Sequence, residues 1–261
     1  MTLLAVAIYG RGLVEPAEPV FHADDDALLR GGAAFETIRV YDGRPFLLAE
    51  HLTRFRFSAR ALALPAPDGV EDLIALVLDA APPDHVLRLY RTSQSVVATA
   101  AGLPDGLDAV RAHGVTLKTF DVGPPTSLLA GAKTTSYDVS FAARREAEQA
   151  GADDALLIGA GRVLEAATAN IWWRHGDRLF TPDVRPGVLP GVTRAFVLSL
   201  ETAREGEFDV GEVLGADEAF LTSSIREVMP VVAVDGDTIG DGLPGPAAAR
   251  LQDALRLRSA S

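Results

Sequence analysis

Residues 31–54 read GGAAFETIRVYDGRPFLLAEHLTR and predict a strand, a tight turn and the beginning of a helix. Large apolar and polar side chains alternate over 34–41, which is typical of a half-buried strand. The Asp-Gly pair that follows favours a hairpin turn, after which the chain pairs back on the strand. Apolar residues then recur at helical spacing, which predicts a helix over 49–64.

Along the rest of the chain, strands come in clusters with helices between them, which favours an α+β fold over one doubly wound sheet. Further strands are predicted over 1–9, 86–91, 115–120, 155–158, 170–174, 178–180, 219–222 and 230–234. Further helices are predicted over 70–80, 140–150, 191–204 and 247–257. The Gly-Pro-Pro run at 123–125 is the best candidate for a boundary. We therefore expect a small N-terminal α+β domain over 1–120, a linker over 121–125 and a larger C-terminal α+β domain over 126–261.

The composition is that of a globular protein and excludes several functional classes. The 261 residues carry a formal net charge of −12 and no cysteine. An acidic chain lacks the basic face that a nucleic-acid partner requires, and without cysteine there is neither a disulfide nor a thiolate metal site. The histidines show no metal-ligand spacing, so we assign no metal. No apolar run is long enough for a membrane helix and no basic leader precedes the first strand, so we expect a cytoplasmic protein.

Lysine is almost absent, because only Lys118 and Lys133 among the 24 basic residues are lysines. Arginine keeps its proton at neutral pH, so a task that needs a nucleophilic amine falls to a lysine. Lys133 lies in AGAKTTSY at 130–137, where small residues precede it and hydroxyl residues follow it. Glu165 lies among small residues in VLEAATAN at 163–170, a setting in which a flat group can pack close. Taken alone, a solvated lysine and a loop glutamate are the commoner interpretations.

Three other features of the sequence are suited to binding an anion. The stretch LPGVTR at 189–194 places a glycine where a helix begins, and the free N–H groups of a helix N-terminus bind phosphate. The stretch TSS at 222–224 offers three hydroxyl groups, and Arg54 offers a guanidinium. Each is also explained as an ordinary helix start, turn or solvated arginine. None of these three features matches a Walker loop or a dinucleotide GxGxxG motif, and no Gly-x-Ser-x-Gly motif occurs, so neither nucleotide binding nor serine-hydrolase chemistry is supported.

In this order, the motifs resemble the class IV aminotransferases, pyridoxal phosphate enzymes of fold type IV. Four blocks carry the resemblance: GGAAFETIR with FLL and HL-x-R over 31–54; KTTSY at 133–137 with GADDALL at 151–157; EAATAN at 165–170 with LPGVTR; and DEAFLTSS at 217–224 with VMPV at 228–231. The resemblance covers about residues 28–235 and is nearest the D-amino acid transaminase and aminodeoxychorismate lyase branches. It implies a two-domain α+β fold of the D-amino acid aminotransferase type, pyridoxal 5'-phosphate as cofactor, and a homodimer with active sites at its interface.

The resemblance also assigns roles to individual residues. Lys133 matches the catalytic lysine that forms a Schiff base with the cofactor, and Tyr137 matches the tyrosine near the cofactor's phenolic oxygen. Glu165 matches the carboxylate that pairs with the pyridine nitrogen and keeps the ring an electron sink. Leu189 matches the residue that packs on the ring. The residues that match the phosphate-binding cup are Arg54, Val192, Thr193, Ser223 and Ser224.

The region that would bind the substrate departs from the family pattern. Branched-chain enzymes usually have Phe-Glu-Gly where this chain has Phe-Glu-Thr at 35–37, which is closer to the lyase and D-amino acid branches. Those branches often have Thr-Arg-Gly where this chain has Thr-Ser-Gln at 92–94, so part of the carboxylate-binding site is absent or rebuilt. Neighbouring arginines on the strand over 86–91 cannot all face the site. The candidate substrate-binding residues are Arg30, which would reach across a dimer interface, Phe35, Thr37, Arg88 and Arg91.

We expect a transaminase that moves an amino group between a D-amino acid, with (R)-primary amines as further donors, and a 2-keto acid by a ping-pong mechanism. The alternative is 4-amino-4-deoxychorismate lyase, which forms p-aminobenzoate and pyruvate with the same lysine and cofactor. A third hypothesis is a non-catalytic phosphate-binding protein. The expected partners are a small-molecule amino donor and a 2-keto acid acceptor, with no nucleic acid and no membrane.

Overall fold

The computed structural model describes residues 2–126 and 128–260; the ends of the predicted domains at 1 and 261 lie outside them, as does Ser127. The chain divides into two compact units, each with its own sheet. The first unit comprises residues 2–105 and 132–137 with 259–260, and the second comprises 106–131 and 138–258. In these described ranges, no helix combines the length and the apolar character that crossing a membrane requires.

The first unit is a six-stranded antiparallel sheet with two helices packed on one face. Its sheet order is β2-β1-β6-β5-β3-β4. The strands are β1 (Leu3–Ile8), β2 (Gly12–Val14), β3 (Ala34–Tyr41), β4 (Arg44–Pro45), β5 (His85–Arg91) and β6 (Val96–Ala101). The helices are α1 (Asp26–Arg30), α2 (Leu48–Ala61) and α3 (Val70–Ala80). The predicted helix over 70–80 is therefore confirmed, and the one predicted over 49–64 ends three residues earlier.

Period-two alternation along β3 separates a core face from a second face of the sheet. Ala34, Ile38 and Val40 are buried against Leu52 and Phe55 of α2 in one apolar cluster. The residues between them, at positions 35, 37 and 39, point to the opposite face of the sheet. The strand predicted from the alternation of 34–41 is thus confirmed with the predicted bounds.

The second unit is built on a nine-stranded mixed sheet with the order β12-β11-β10-β13-β14-β7-β8-β9, and β15 pairs with β14. The strands are β7 (Val115–Asp121), β8 (Asp154–Gly159), β9 (Arg162–Ala166), β10 (Asn170–His175), β11 (Arg178–Pro182), β12 (Ala203–Gly206), β13 (Glu218–Ser223), β14 (Glu227–Val234) and β15 (Asp237–Thr238). The helices are α4 (Leu107–His113), α5 (Asp138–Gln149), α6 (Val192–Leu200), α7 (Val210–Leu214) and α8 (Pro246–Ala260). The helix predicted over 191–204 is shorter because the chain turns into β12.

The compact units do not follow the predicted boundary at 121–125. Strand β7 lies on the N-terminal side of that boundary, yet it pairs in parallel with β14 and β8 of the second unit. Lys133, which we expected in the C-terminal domain, belongs to the first unit instead. Its segment is hydrogen-bonded to the start of β3, because Phe35 N donates to Lys133 O at 3.1 Å and Thr135 N donates to Ala33 O at 2.9 Å.

Helix α8 is attached to the sheet of the second unit by a buried carboxylate. The two oxygens of Glu218, on β13, accept hydrogen bonds from Ala247 N at 3.1 Å and Ala248 N at 2.7 Å. The first N–H groups of a helix have no partner within the helix, and negative charge is favoured at its N-terminus. Glu218 therefore satisfies two backbone donors that would otherwise be buried without an acceptor.

Replacing the Glu218 carboxylate by the amide of glutamine removes the charge and places the amide NH2 group against a backbone N–H group of α8. We expect Glu218→Gln to lower the free energy of unfolding by about 1–3 kcal/mol. Chemical denaturation followed by circular dichroism measures the change. The matched control is Glu146→Gln on the exposed face of α5, which should change the free energy far less. Equal stability of the two variants would contradict the capping role.

Candidate functional site

The amine of Lys133 is held between two aromatic side chains of the first unit. Lys133 Nζ donates a hydrogen bond to Tyr137 Oη at 2.9 Å and lies 4.3 Å from the centroid of the Phe35 ring. The rings of Phe35 and Tyr137 meet edge to face, with centroids 5.5 Å apart. Among the described residues, Lys133 forms no ion pair with a carboxylate. The half-buried amine is therefore positioned by a hydroxyl group and an aromatic face rather than neutralised by an acid.

The backbone of Lys133 is fixed to helix α2 through a serine that the sequence analysis missed. Lys133 N donates to Ser58 Oγ at 2.9 Å, and the Ser58 hydroxyl donates to Arg54 O at 2.9 Å. Ser58 is fully buried. One hydroxyl group thus links the segment of the lysine to the turn of α2 that carries Arg54.

Arg54, predicted to bind phosphate, is held in a buried cluster with two residues to which we had assigned no role. Its Nε and Nη2 donate to Glu36 Oε1 and Oε2 at 2.7 and 2.8 Å. His51 Nδ1 also contacts Glu36 Oε2, at 2.7 Å. This two-point contact fixes the plane of the guanidinium. Glu36 lies one residue beyond Phe35 on β3, so it faces α2 while Phe35 faces Lys133.

The titration of Glu36 and His51 follows from this burial. Burial raises the pKa of the Glu36 carboxyl, but the charge of Arg54 and the hydrogen bonds from Arg54 and His51 outweigh it and lower that pKa to about 2. Burial lowers the pKa of His51, against the raising effect of Glu36, and the charges of Arg54 and Lys133 lower it further. At neutral pH the cluster is a carboxylate, a guanidinium and a neutral imidazole.

Three predicted substrate-binding residues, Phe35, Thr37 and Arg88, lie on one face of the sheet of the first unit. Thr37 lies directly opposite Arg88 on β5, and Phe35 lies opposite Tyr90, with which its ring stacks. Arg88 hydrogen-bonds Tyr90, whose hydroxyl pKa is raised by burial and only partly lowered by that arginine. Arg39, which the sequence analysis did not single out, lies on the same face, and its buried Nε has no hydrogen-bond partner among the described residues. The face thus combines aromatic, hydroxyl and cationic groups.

Arg91 and Arg30 are placed differently from Arg88. Arg91 points to the core face of the sheet, where its Nε donates to Pro65 O at 2.8 Å and its Nη1 donates to Ser95 O at 3.2 Å. Burial lowers the pKa of Arg91. Its guanidinium therefore anchors two loops, which departs from the substrate-binding role we expected. Arg30 is exposed at the end of α1 and is paired with Asp26, and its role across a dimer interface stays a prediction.

In the second unit, Glu165 is fixed by a backbone amide and by a side-chain amide. Glu165 Oε2 accepts from Leu189 N at 2.9 Å and from Asn170 Nδ2 at 2.9 Å. Asn170 Nδ2 also donates to Leu189 O at 2.9 Å. Asn170, which had no predicted role, therefore joins Glu165 to the residue predicted to pack on the cofactor ring.

The start of α6 lies directly beside Asn170. Gly191 is the N-cap residue, and no side chain caps the helix there. A Cβ atom at Gly191 would lie 2.0 Å from Asn170 Oδ1, so only glycine fits at this approach. Val192 and Thr193 form the first turn and are buried. The first N–H groups of α6 are thus available next to a position that lacks a side chain.

The two predicted serines lie at the turn between β13 and β14, near the same point. Thr222 pairs directly with Asn170 across the neighbouring strands, and Ser223 follows it. Ser223 Oγ accepts a hydrogen bond from Arg226 N at 3.2 Å. Because this contact uses a lone pair, the Ser223 proton remains able to donate to an anion. Ser223 and Ser224 are both half-buried.

The groups in the second unit suit parts of pyridoxal 5'-phosphate, the cofactor that the resemblance implies. The fixed carboxylate of Glu165 suits a protonated ring nitrogen, and Leu189 suits an aromatic ring. The uncapped start of α6, at a glycine that no Cβ could replace, suits a phosphate together with the two serines. In the first unit, the amine of Lys133 is of the kind that reacts with an aldehyde. The residues present therefore fit this group.

Comparison with known proteins agrees with this chemistry. The family model for amino-transferase class IV matches residues 33–234. A putative branched-chain-amino-acid aminotransferase from Methanocaldococcus jannaschii is 30% identical over 260 residues, covering 89% of this chain and 88% of that protein. A bifunctional aminodeoxychorismate lyase / D-amino acid transaminase from Mycobacterium tuberculosis is 29% identical, covering 86% of this chain and 89% of that protein.

A solved structure agrees with the fold as well. A fold IV-transaminase from Curtobacterium pusillum superposes with a TM-score of 0.86 at 28% sequence identity, covering 98% of this chain and 99% of that one. The predicted α+β architecture of fold type IV is therefore confirmed, as is the predicted resemblance.

The buried His51 predicts a pH dependence of stability. Since its pKa is lowered in the folded protein, only the unfolded chain takes up this proton as the pH falls through about 6.5. The free energy of unfolding should therefore fall between pH 7.5 and 5.5, and His51→Gln should make that slope smaller. Urea titrations across this range measure it, with His22→Gln at an exposed position as the control. An unchanged slope in His51→Gln would contradict the placement.

Proposed function

The chain belongs to the amino-transferase class IV family, and from this premise we propose that it moves an amino group between a D-amino acid and a 2-keto acid. The protein is an enzyme of this class, its cofactor is pyridoxal 5'-phosphate, and its substrates are a small amino donor and a keto acid. The proposal adds the configuration of the donor, the ping-pong order of the two half-reactions, and the roles of individual residues.

Lys133 is proposed as the catalytic residue. When bound, the cofactor supplies an electron-withdrawing ring that stabilises negative charge at the substrate Cα. Lys133 Nζ takes the proton from that carbon and returns a proton in the reverse half-reaction. The observation that carries this assignment is the setting of Nζ: it contacts Tyr137 Oη and the Phe35 ring, and among the described residues it has no ion-pair partner.

The remaining predicted cofactor-binding residues have matching roles in the proposal. Glu165 holds the ring nitrogen in its protonated form, and the two donors on its Oε2 fix the carboxylate for this purpose. Leu189 packs on the ring, and Tyr137 neighbours the phenolic oxygen. The phosphate is bound by Arg54, the first turn of α6 with Val192 and Thr193, and the hydroxyl groups of Ser223 and Ser224.

The substrate carboxylate is proposed to bind Arg88. This arginine shares the sheet face of Phe35, on which Lys133 Nζ rests, and lies opposite the Thr37 hydroxyl. A guanidinium beside a hydroxyl is a good carboxylate partner. Preference for D-amino acids is supported by the Phe-Glu-Thr sequence at 35–37 and by the D-amino acid transaminase activity named for the bifunctional relative. Arg30 from a second copy in a homodimer remains part of the proposal, as does a cytoplasmic location.

The second candidate is aminodeoxychorismate lyase activity. It is favoured by the same relative, whose name joins that lyase with D-amino acid transamination. The two reactions would use the same lysine, because both begin with proton removal from the carbon that bears the amino group. The branched-chain relative supports transamination of branched-chain amino acids in the same way.

Parallel assays with enantiomeric donors test the proposal. With 2-oxoglutarate as the common acceptor, D-alanine should drive consumption of 2-oxoglutarate faster by a large factor than L-alanine or L-leucine does. The pyruvate formed from alanine is followed with a coupled dehydrogenase. Aminodeoxychorismate supplied alone should give p-aminobenzoate only if the lyase alternative holds. Lys133→Ala should abolish all of these reactions and the covalent labelling of the chain by borohydride in the presence of the cofactor. Faster turnover of the L-amino acids would contradict the proposed donor.

Arg88 and Arg91 form a matched pair for a second test, because they lie on opposite faces of β5. Removing a charge-assisted hydrogen bond of about 1.5–3 kcal/mol predicts that Arg88→Gln raises KM for D-alanine roughly ten- to hundredfold. Arg91→Gln should instead lower Tm, since it leaves the carbonyls of Pro65 and Ser95 without their donors. Initial rates and thermal unfolding measure both effects. A rise in KM only for Arg91→Gln would reverse the assignment.

A further inference from the structure

Glu227, the first residue of β14, has a backbone conformation that few residues adopt. Its φ is +57°, in the left-handed region where side chains other than those of glycine, asparagine and aspartate are uncommon. This conformation is unfavourable for a side chain such as that of glutamate and persists only where the surroundings hold it in place. The residue directly follows the turn that carries Ser223 and Ser224.

The carboxylate of Glu227 is buried and receives four hydrogen bonds from two helices. Oε2 accepts from Arg111 Nη2 at 2.8 Å, Arg256 Nη2 at 2.8 Å and Gln252 Nε2 at 2.7 Å, and Oε1 accepts from Arg256 Nε at 2.7 Å. Arg111 belongs to α4, whereas Gln252 and Arg256 belong to α8. These contacts hold the side chain of a residue whose backbone is strained.

The same helices also bind the backbone on either side of Glu227. Arg111 donates through Nη2 to Arg226 O at 3.0 Å and through Nε to Val228 O at 3.1 Å. Gln252 Oε1 accepts from Val228 N at 3.0 Å. The chain therefore leaves the serine turn along a path that α4 and α8 determine residue by residue.

The serine turn is held from its other side by Arg226. Arg226 Nη2 donates to Asp154 Oδ2 at 2.5 Å and to Thr168 Oγ1 at 3.1 Å, and Arg226 N donates to Ser223 Oγ. Asp154 is fully buried. Arg226 and Glu227, which follow the two serines, are therefore both held by side-chain contacts.

From this arrangement we propose that Glu227, which forms ion pairs with Arg111 and Arg256, is a positioning residue. It keeps the Ser223–Ser224 turn in its anion-binding conformation. It touches neither the anion nor the substrate. The inference rests on the proposed role of the two serines in binding the cofactor phosphate. A residue that merely stabilised the fold would affect the binding of every form of the cofactor alike, whereas a positioning residue affects the phosphate alone.

The experiment compares the affinities of the full-length protein, freed of cofactor, for pyridoxal 5'-phosphate and for pyridoxal, which lacks the phosphate. We call the contacts of Glu227 with Arg111, Gln252 and Arg256 the clamp. Glu227→Gln removes the carboxylate that accepts these contacts, and Arg256→Gln removes one of the two guanidinium groups that donate to it. Arg256 is partly exposed and borders a cavity of about 460 Å³, so its truncation leaves space that water fills and the variant should fold. Arg250→Gln is the control, because Arg250 lies on the exposed part of the same helix and, among the described residues, pairs with Glu201 alone.

We define the ratio as the affinity for pyridoxal 5'-phosphate divided by the affinity for pyridoxal. We expect Arg256→Gln and Glu227→Gln to lower this ratio about tenfold, as losses of supporting contacts typically do. Arg250→Gln should keep the wild-type ratio. Ser223→Ala and Ser224→Ala are measured in parallel, and a loss of the ratio in them supports the phosphate site itself. If the serine variants lose the ratio while both clamp variants keep it, the positioning role is overturned alone. If the serine variants keep it, the phosphate assignment and the inference fail together.

Discussion

The ion pair between Glu36 and Arg54 is the contact on which the candidate site residues of the first unit depend. It is buried between β3 and α2, where an unpaired charge would cost roughly 3–5 kcal/mol, so the two elements are held at one distance and one rotation. Because this pair holds α2 against β3, the Ser58 hydroxyl of α2 lies where it accepts a hydrogen bond from the Lys133 backbone N–H. The Lys133 segment is therefore linked, through Ser58, to a charge pair that does not itself touch the Lys133 amine.

Asn170 has a comparable position in the second unit. Its amide nitrogen contacts both Glu165 and the Leu189 carbonyl, while its oxygen lies against Gly191, where any Cβ would clash. A single neutral side chain thus sets the Glu165 carboxylate, Leu189 and the start of α6 relative to one another. Since each of these groups is proposed to bind a different part of one small molecule, their spacing matters more than the strength of any one contact.

The candidate site residues of the two units carry different kinds of chemical groups. The first unit supplies an amine, aromatic rings and guanidinium groups on a sheet face, and the second supplies a carboxylate, backbone N–H groups and hydroxyls at strand and helix ends. Groups at strand and helix ends are set by turns, which explains the strained Glu227 and the carboxylate contacts that hold it.

The sequence by itself determined the elements whose pattern is local. Alternation predicted β3, helical spacing predicted α2, and the near absence of lysine directed attention to Lys133. Ordered motifs predicted the family and the cofactor. Only the tertiary structure decided that Arg88 shares the sheet face of Phe35, whereas Arg91 binds two loop carbonyls on the opposite face. It also decided that Lys133 belongs to the first unit. The supporting contacts of Glu36, Ser58 and Asn170 likewise became visible only in the tertiary structure. The physical reason is that periodicity records which side of an element a residue faces, whereas hydrogen bonds between residues far apart in the chain depend on how those elements pack.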